Sequence, residues 1–108
     1  MRNILIATTI LLVLVSCSSN GQYEAPNAEN REPMTGKKVF ATYCVACHGA
    51  DGKMGFSGAK DLSVTQLSHE DRVKVITYGK GVMNPFKDVL SIEEIQKVAV
   101  YIDSLAIK

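Results

Sequence analysis

The sequence predicts an all-α domain, and three observations carry that prediction. Capped stretches with helical spacing of apolar residues occur three times, no stretch of useful length alternates as a strand does, and the segments between them are rich in Gly, Asn, Asp and Pro. The chain has 108 residues, enough for one domain.

The first element is not part of that domain. Met1-Arg2-Asn3 precedes an apolar run from Ile4 to Val15, softened only by Ala and Thr. The run is too short for a membrane-spanning helix, which needs ~20 residues, and it has no amphipathic pattern. A basic start, an apolar stretch and small residues before a Cys predict an export signal over residues 1–16. Leu14-Val15-Ser16-Cys17 further resembles the bacterial lipoprotein signal, in which Cys17 becomes the lipid-modified first residue. Acylation at Cys17 would carry enough hydrocarbon for stable anchoring to a membrane.

Residues 17–33 read as a flexible linker: "SSNGQYEAPNAENRE" offers no apolar face. The folded domain is expected over residues 34–108. Loss of residues 1–16 removes Arg2 and leaves basic and acidic residues equal in number. That balance gives no support to nucleic-acid binding.

Three helices are expected. The first runs from about Thr35, a plausible N-cap, into the cysteine pair, with Gly36, Phe40 and Cys44 recurring on one face. The second spans about Ser68 to Tyr78; Ser68 with Asp71 marks its start and Gly79 its stop. In the third, Ser91 and Glu94 form a capping box ahead of Ile95, Val98, Ile102 and Leu105. Such a small domain with long loops makes a thin core, and domains of this size commonly depend on a staple such as a disulfide, a metal or a cofactor.

The chemistry concentrates in "CVACH", Cys44 to His48. Export places Cys44 and Cys47 in an oxidising compartment, where they are expected to be oxidised, metallated or alkylated. A structural zinc site needs four ligands, and Cys44, Cys47 and His48 supply at most three, with no second Cys/His pair to complete it. A thioredoxin-like dithiol follows a strand in a βαβ unit, whereas this pair follows an amphipathic helix. The spacing C-x-x-C-H is that of c-type haem attachment. Two thiols add across the vinyl groups of neighbouring pyrroles, and the next residue, His48, gives an imidazole nitrogen to iron. A haem also supplies the apolar body that the thin core lacks.

With "GKKVFATYCVACHGADGK", "YGKGVMNPF" and "LSIEEIQKVAVYIDSL" in this order, the chain from about Met34 to Ala106 resembles the class I mono-haem cytochrome c family. The resemblance implies a small fold of three main helices and long loops around one haem c, with iron. It implies attachment through Cys44 and Cys47 and axial ligation by His48 and Met83, the latter from the loop before the last helix. Met1 lies in the signal, Met34 too near the start of the first helix, and Met54 in a loop expected to stay on the proximal side. Gly36 and Phe40 resemble the pair that packs against an aromatic of the last helix, here Tyr101; a residue without a side chain lets two helix axes approach closely. Two departures stand out. Lys60 precedes Asp61-Leu62 where the family usually has a Pro whose carbonyl orients the proximal His, and Asn84 separates Met83 from Pro85.

With both axial positions filled, iron has no vacant site for a substrate. The expectation is therefore a one-electron carrier and not an enzyme, lipid-anchored at the periplasmic face of a bacterial membrane and passing electrons between a respiratory donor and acceptor. Two alternatives remain open: a haem-based gas sensor from which Met83 dissociates, and an electron-entry subunit of a larger oxidoreductase. His69 is expected to be a solvated first-turn residue. Tyr78 is expected either to meet a haem propionate or to join the core. Lys53, Lys60, Lys80 and Lys87 fall near the haem edge, but Asp51, Asp61 and Asp88 dilute any basic docking face.

Overall fold

Thr35 opens the first helical stretch as anticipated: its hydroxyl accepts the backbone N–H of Lys38 at 3.2 Å. A computed structural model describes residues 31–106, so the signal expected at 1–16, Cys17 and most of the expected linker lie outside the described residues. The stretch begins as α1 (Gly36–Val39), widens into one π turn (Phe40–Cys44), and resumes as α2 (Val45–His48). In the wide turn the N–H of Val45 bonds the carbonyl of Phe40, five residues back. The uninterrupted α-helix expected from the sequence is therefore corrected. The Thr42 hydroxyl donates to the Lys38 carbonyl at 2.8 Å, a back-bond that loosens helices locally. Gly49, at φ +75°, stops the helix with its N–H on the Val45 carbonyl.

α3 (His69–Tyr78) and α4 (Ile92–Asp103) follow the capping signals closely. Ser68 accepts from the N–H of Asp71 at 3.1 Å. The Ser91–Glu94 capping box is present in both directions, at 3.0 and 3.2 Å. Leu105 lies beyond the end of α4 but still packs on the core. Among the described residues there is no strand, only the isolated pairing of Lys80 with Met83.

α4 is the centre of the packing. Ile95, Val98, Ala99 and Ile102 are buried on one of its faces, against Val39 and Phe40 from the first helix, Ile76 from α3 and Leu90 from the loop before α4. The first helix crosses α4 at Gly36, where an added Cβ would stand 2.2 Å from the Lys97 carbonyl oxygen. The Phe40 and Tyr101 rings meet beside that crossing, 5.4 Å between centroids. These contacts are the ones expected of Gly36, Phe40 and Tyr101.

Two charged groups lie inside the core. Arg72 on α3 is 7% exposed; its Nη1 donates to the Ala99 carbonyl at 3.1 Å and to Asp103 at 2.6 Å, and its Nη2 to the Leu67 carbonyl at 3.2 Å. Glu94 is fully buried and pairs through both carboxylate oxygens with Arg31, a residue assigned to the linker. The same carboxylate accepts the backbone N–H of Met34 at 2.9 Å. Arg31 is thus tied to α4.

Candidate functional site

His48, at the end of α2, is 9% exposed, and its Nδ1 stands 3.0 Å from the backbone carbonyl of Lys60. A carbonyl can only accept, so Nδ1 carries the proton, and in the neutral ring Nε2 keeps its lone pair. That is the tautomer of a metal-ligating imidazole held by an outer hydrogen bond. Lys60 therefore supplies the carbonyl although Pro is absent.

His48 lines a cavity of ≈660 Å³ that Cys44, Cys47 and Met83 also line. The four side chains named from the sequence are brought together. Neither cysteine is in a disulfide. Burial pushes the Cys44 thiol up to about 11, with a smaller push from Cys47, so as a free group it stays protonated. Leu62, Ile76, Leu90 and Ile102 give the cavity an apolar floor, and Lys60 and Lys80 stand among its lining residues. A second depression of ≈500 Å³ over the crossing of α1 and α4 has no Cys, His or Met in its lining.

The loop that carries Met83 is more ordered than its composition suggests. Lys80 and Met83 exchange backbone hydrogen bonds of 3.2 and 3.1 Å across Gly81 and Val82. Phe86 and Lys87 then donate to the carbonyls of Ile76 and Thr77, pinning the loop to the end of α3. Gly79 is required there: its φ is +74°, and a Cβ would stand 2.4 Å from the Met83 carbonyl oxygen. The Phe86 ring meets Tyr43 edge-on at 6.0 Å, joining the loop to the turn that carries the first cysteine.

The other candidates fall elsewhere. Met54 is 43% exposed and Met34 packs on the core; neither lines the cavity. His69 is exposed, and its Nε2 lies 2.7 Å from Gln96 Oε1. Tyr78 is 70% exposed and stays out of the lining, so it does not join the core. Arg72, missed by the sequence reading, does line the cavity, and its buried Nε has no hydrogen-bond partner among the described residues. Asp61 was also missed as a structural residue. Its Oδ1 accepts the Ser63 hydroxyl at 2.6 Å and the Ser63 N–H at 2.8 Å, which hold its carboxyl below the usual range. The Asp-x-Ser spacing of such a turn was the available signal.

Among the described residues no three His, Cys, Asp or Glu side chains stand close enough to share a metal ion. The fit to a haem is better: an imidazole with a free lone pair, a thioether, two thiols at the attachment spacing and an apolar cavity. An unpartnered guanidinium N–H beside the cavity suits an acidic ring substituent.

Comparison with known proteins agrees with this geometry. The family described as "Cytochrome C oxidase, cbb3-type, subunit III" matches residues 31–102. Cytochrome c6 of Leptolyngbya boryana is 40% identical over 73 residues, covering 62% of this chain and 85% of its own. Among solved structures, cytochrome c6 from the diatom Phaeodactylum tricornutum superposes with a TM-score of 0.58 at 32% identity, covering 66% of this chain and 90% of its own. The c-type cytochrome KustC0563 superposes at 0.64 with 25% identity, covering 68% of this chain and all of its own.

Proposed function

This chain belongs to the cytochrome c family described as cbb3-type oxidase subunit III, and from that premise we propose that it is a membrane-tethered one-electron carrier with His48 and Met83 as axial ligands. Its cofactor is one covalently bound haem c with iron, and it is an electron carrier and not an enzyme, as its cytochrome c6 relatives are. Bound haem supplies a one-electron iron couple. The observation that carries the ligand assignment is the single cavity onto which the Nδ1-protonated His48, Met83, Cys44 and Cys47 converge.

Each residue then has a task. Cys44 and Cys47 hold the cofactor by thioether bonds, and His48 offers Nε2 to iron while the Lys60 carbonyl fixes its ring. Met83 offers a soft sulfur, which favours Fe(II) and raises the potential. Leu62, Ile76, Leu90 and Ile102 keep water from the buried side. The unpartnered Arg72 Nε would donate to a propionate carboxylate. Partners are redox proteins, a donor and an acceptor in a respiratory chain.

The test is the reduced protein under carbon monoxide. The parent is expected not to bind it, Met83→Ala to bind it readily and to lose potential, and Met54→Ala to behave as the parent. Binding by the parent overturns the closed six-coordinate site in favour of a gas sensor. Tethering rests on Leu14-Val15-Ser16-Cys17 and an exported location. Cys17→Ser is expected to move the protein from membrane to soluble fraction; a parent already soluble contradicts the anchor. The family description itself names an oxidase subunit, which supports a second reading as a subunit that feeds electrons to a larger complex. Co-purification of a stoichiometric partner from solubilised membranes decides for it.

A further inference from the structure

The sequence lacks a Pro before Asp61-Leu62, yet the Lys60 carbonyl still reaches His48. A Pro would stiffen this strap by fixing one backbone angle, so something else must hold it. Three hydrogen bonds close a circuit around the loops that follow His48. The Lys60 carbonyl accepts from His48 Nδ1 at 3.0 Å, the N–H of Leu62 donates to the Gly52 carbonyl at 2.8 Å, and the N–H of Met54 donates to the His48 carbonyl at 2.9 Å. The circuit is tight at Gly52, whose φ is +77° and where an added Cβ would stand 3.1 Å from the Leu62 Cβ.

Within the strap, one side chain sets the turn. Asp61 is half-buried, and its Oδ1 takes both the N–H and the hydroxyl of Ser63, itself 3% exposed. An Asx turn of this kind substitutes a side-chain oxygen for a backbone carbonyl and fixes the chain from Asp61 through Ser63. The peptide immediately before Asp61 contains the Lys60 carbonyl.

We propose that Asp61 is a positioning residue for His48: the Asp61–Ser63 turn, in place of a proline, aims the Lys60 carbonyl at Nδ1 and so sets the orientation and basicity of the axial imidazole. This rests on the reading of His48 as an iron ligand. An Nδ1–H donated to a carbonyl makes the imidazole a stronger donor, which stabilises ferric iron. Loosening the turn weakens that bond and raises the potential.

The experiment separates the turn from the charge. Asp61→Asn keeps an oxygen acceptor and loses the charge; Asp61→Ala loses both; Ser63→Ala keeps the charge and removes the 2.6 Å bond. Two quantities are read on haem-loaded, reduced protein: solvent exchange of the His48 Nδ1 proton by NMR, and the midpoint potential. Asp61→Ala is expected to speed exchange by about tenfold or more and to raise the potential. Asp61→Asn is expected to stay within about threefold of the parent in exchange, and Ser63→Ala to fall between. Equal exchange in all four proteins overturns the proposal, as does an equal rise of potential in Asn and Ala variants, which assigns the effect to charge alone. If Asp61→Ala does not assemble, Ser63→Ala carries the test by itself, and parental exchange in it is a negative result. Should no His48 Nδ1 proton be found in the haem-loaded parent, the axial assignment falls and the proposal with it. A parent that keeps its haem and shows that proton confines any failure to the turn.

Discussion

Glu94 gathers more polar contacts than any other side chain in the described structure, and its position explains why a carboxylate is tolerated at full burial. Burial alone pushes its carboxyl up, but the Arg31 guanidinium and the N–H groups of Met34 and Ser91 outweigh that and hold it at about 2, against an ordinary 4.5. The unfolded chain binds this proton already below 4.5, while the folded chain resists it until about 2. Its stabilising contribution is therefore complete above 4.5 and is lost as pH falls through about 2. Glu94→Gln is expected to cost about 2 kcal/mol at neutral pH, since a charged hydrogen-bonded pair is lost. It is also expected to unfold with a flatter pH dependence than the parent between 4.5 and 2, measured by thermal melts followed by circular dichroism. Parallel pH profiles would contradict this account. Half of this arrangement was legible in the sequence: Ser91 and Glu94 sit at the spacing of a capping box. Arg31 was not, because an Arg in a polar, Gly- and Asn-rich run carries no sign of the distant carboxylate it meets.

At the scale of elements, helix ends were readable because caps are local chemistry, whereas the interior of the first helix was not. Ser68, Ser91, Thr35, Gly49 and Gly79 each act within a few residues of themselves, and each occupies the position its type favours. The π turn over Phe40–Cys44 has no such mark, since five residues are too few to show a changed period. Arg72 escaped for another reason: charged residues on a helix usually face water, and only tertiary structure reveals the two carbonyls and the Asp103 carboxylate that receive it. The crossing of the first helix with α4 gives the sharpest test at this scale. Gly36→Ala forces a methyl to 2.2 Å from the Lys97 carbonyl, a backbone atom that cannot step aside alone. The helices must separate, at a cost of about 3 kcal/mol, or a fall in Tm of about 10 °C or more for a domain of this size. Gly55→Ala is the control: its φ is −94° and the nearest atom to the added Cβ is 3.7 Å away. That variant is expected to stay within about 0.5 kcal/mol of the parent. Equal melting of the two variants would show that the close approach is not a constraint.

The whole molecule is arranged around a cavity that its own side chains do not fill. Ile76, Leu90 and Ile102 belong at once to the buried core and to the cavity wall, so the core is one shell thick there. Without the cofactor this ≈660 Å³ of largely apolar space stands open to water, and filling it with water or collapsing its walls exposes or strains the same residues that hold α3 to α4. What remains without the cofactor is the Gly36 crossing, the Phe40–Tyr101 contact and the polar ties of Arg72 and Glu94. Two of those are ion pairs, which tie elements together without enclosing apolar surface. The sequence foreshadowed this through size alone, since three helices and long loops cannot bury enough apolar surface. The haem-free chain carrying Cys44→Ala and Cys47→Ala is therefore expected to be largely disordered, with weak helical circular dichroism and no cooperative thermal transition. The haem-loaded parent should melt cooperatively and regain its helices only while the cofactor stays attached. A sharp melting transition in the haem-free double variant would mean that the α1–α4 crossing suffices to fold the chain, and that the cavity is preformed and not built by the group that fills it.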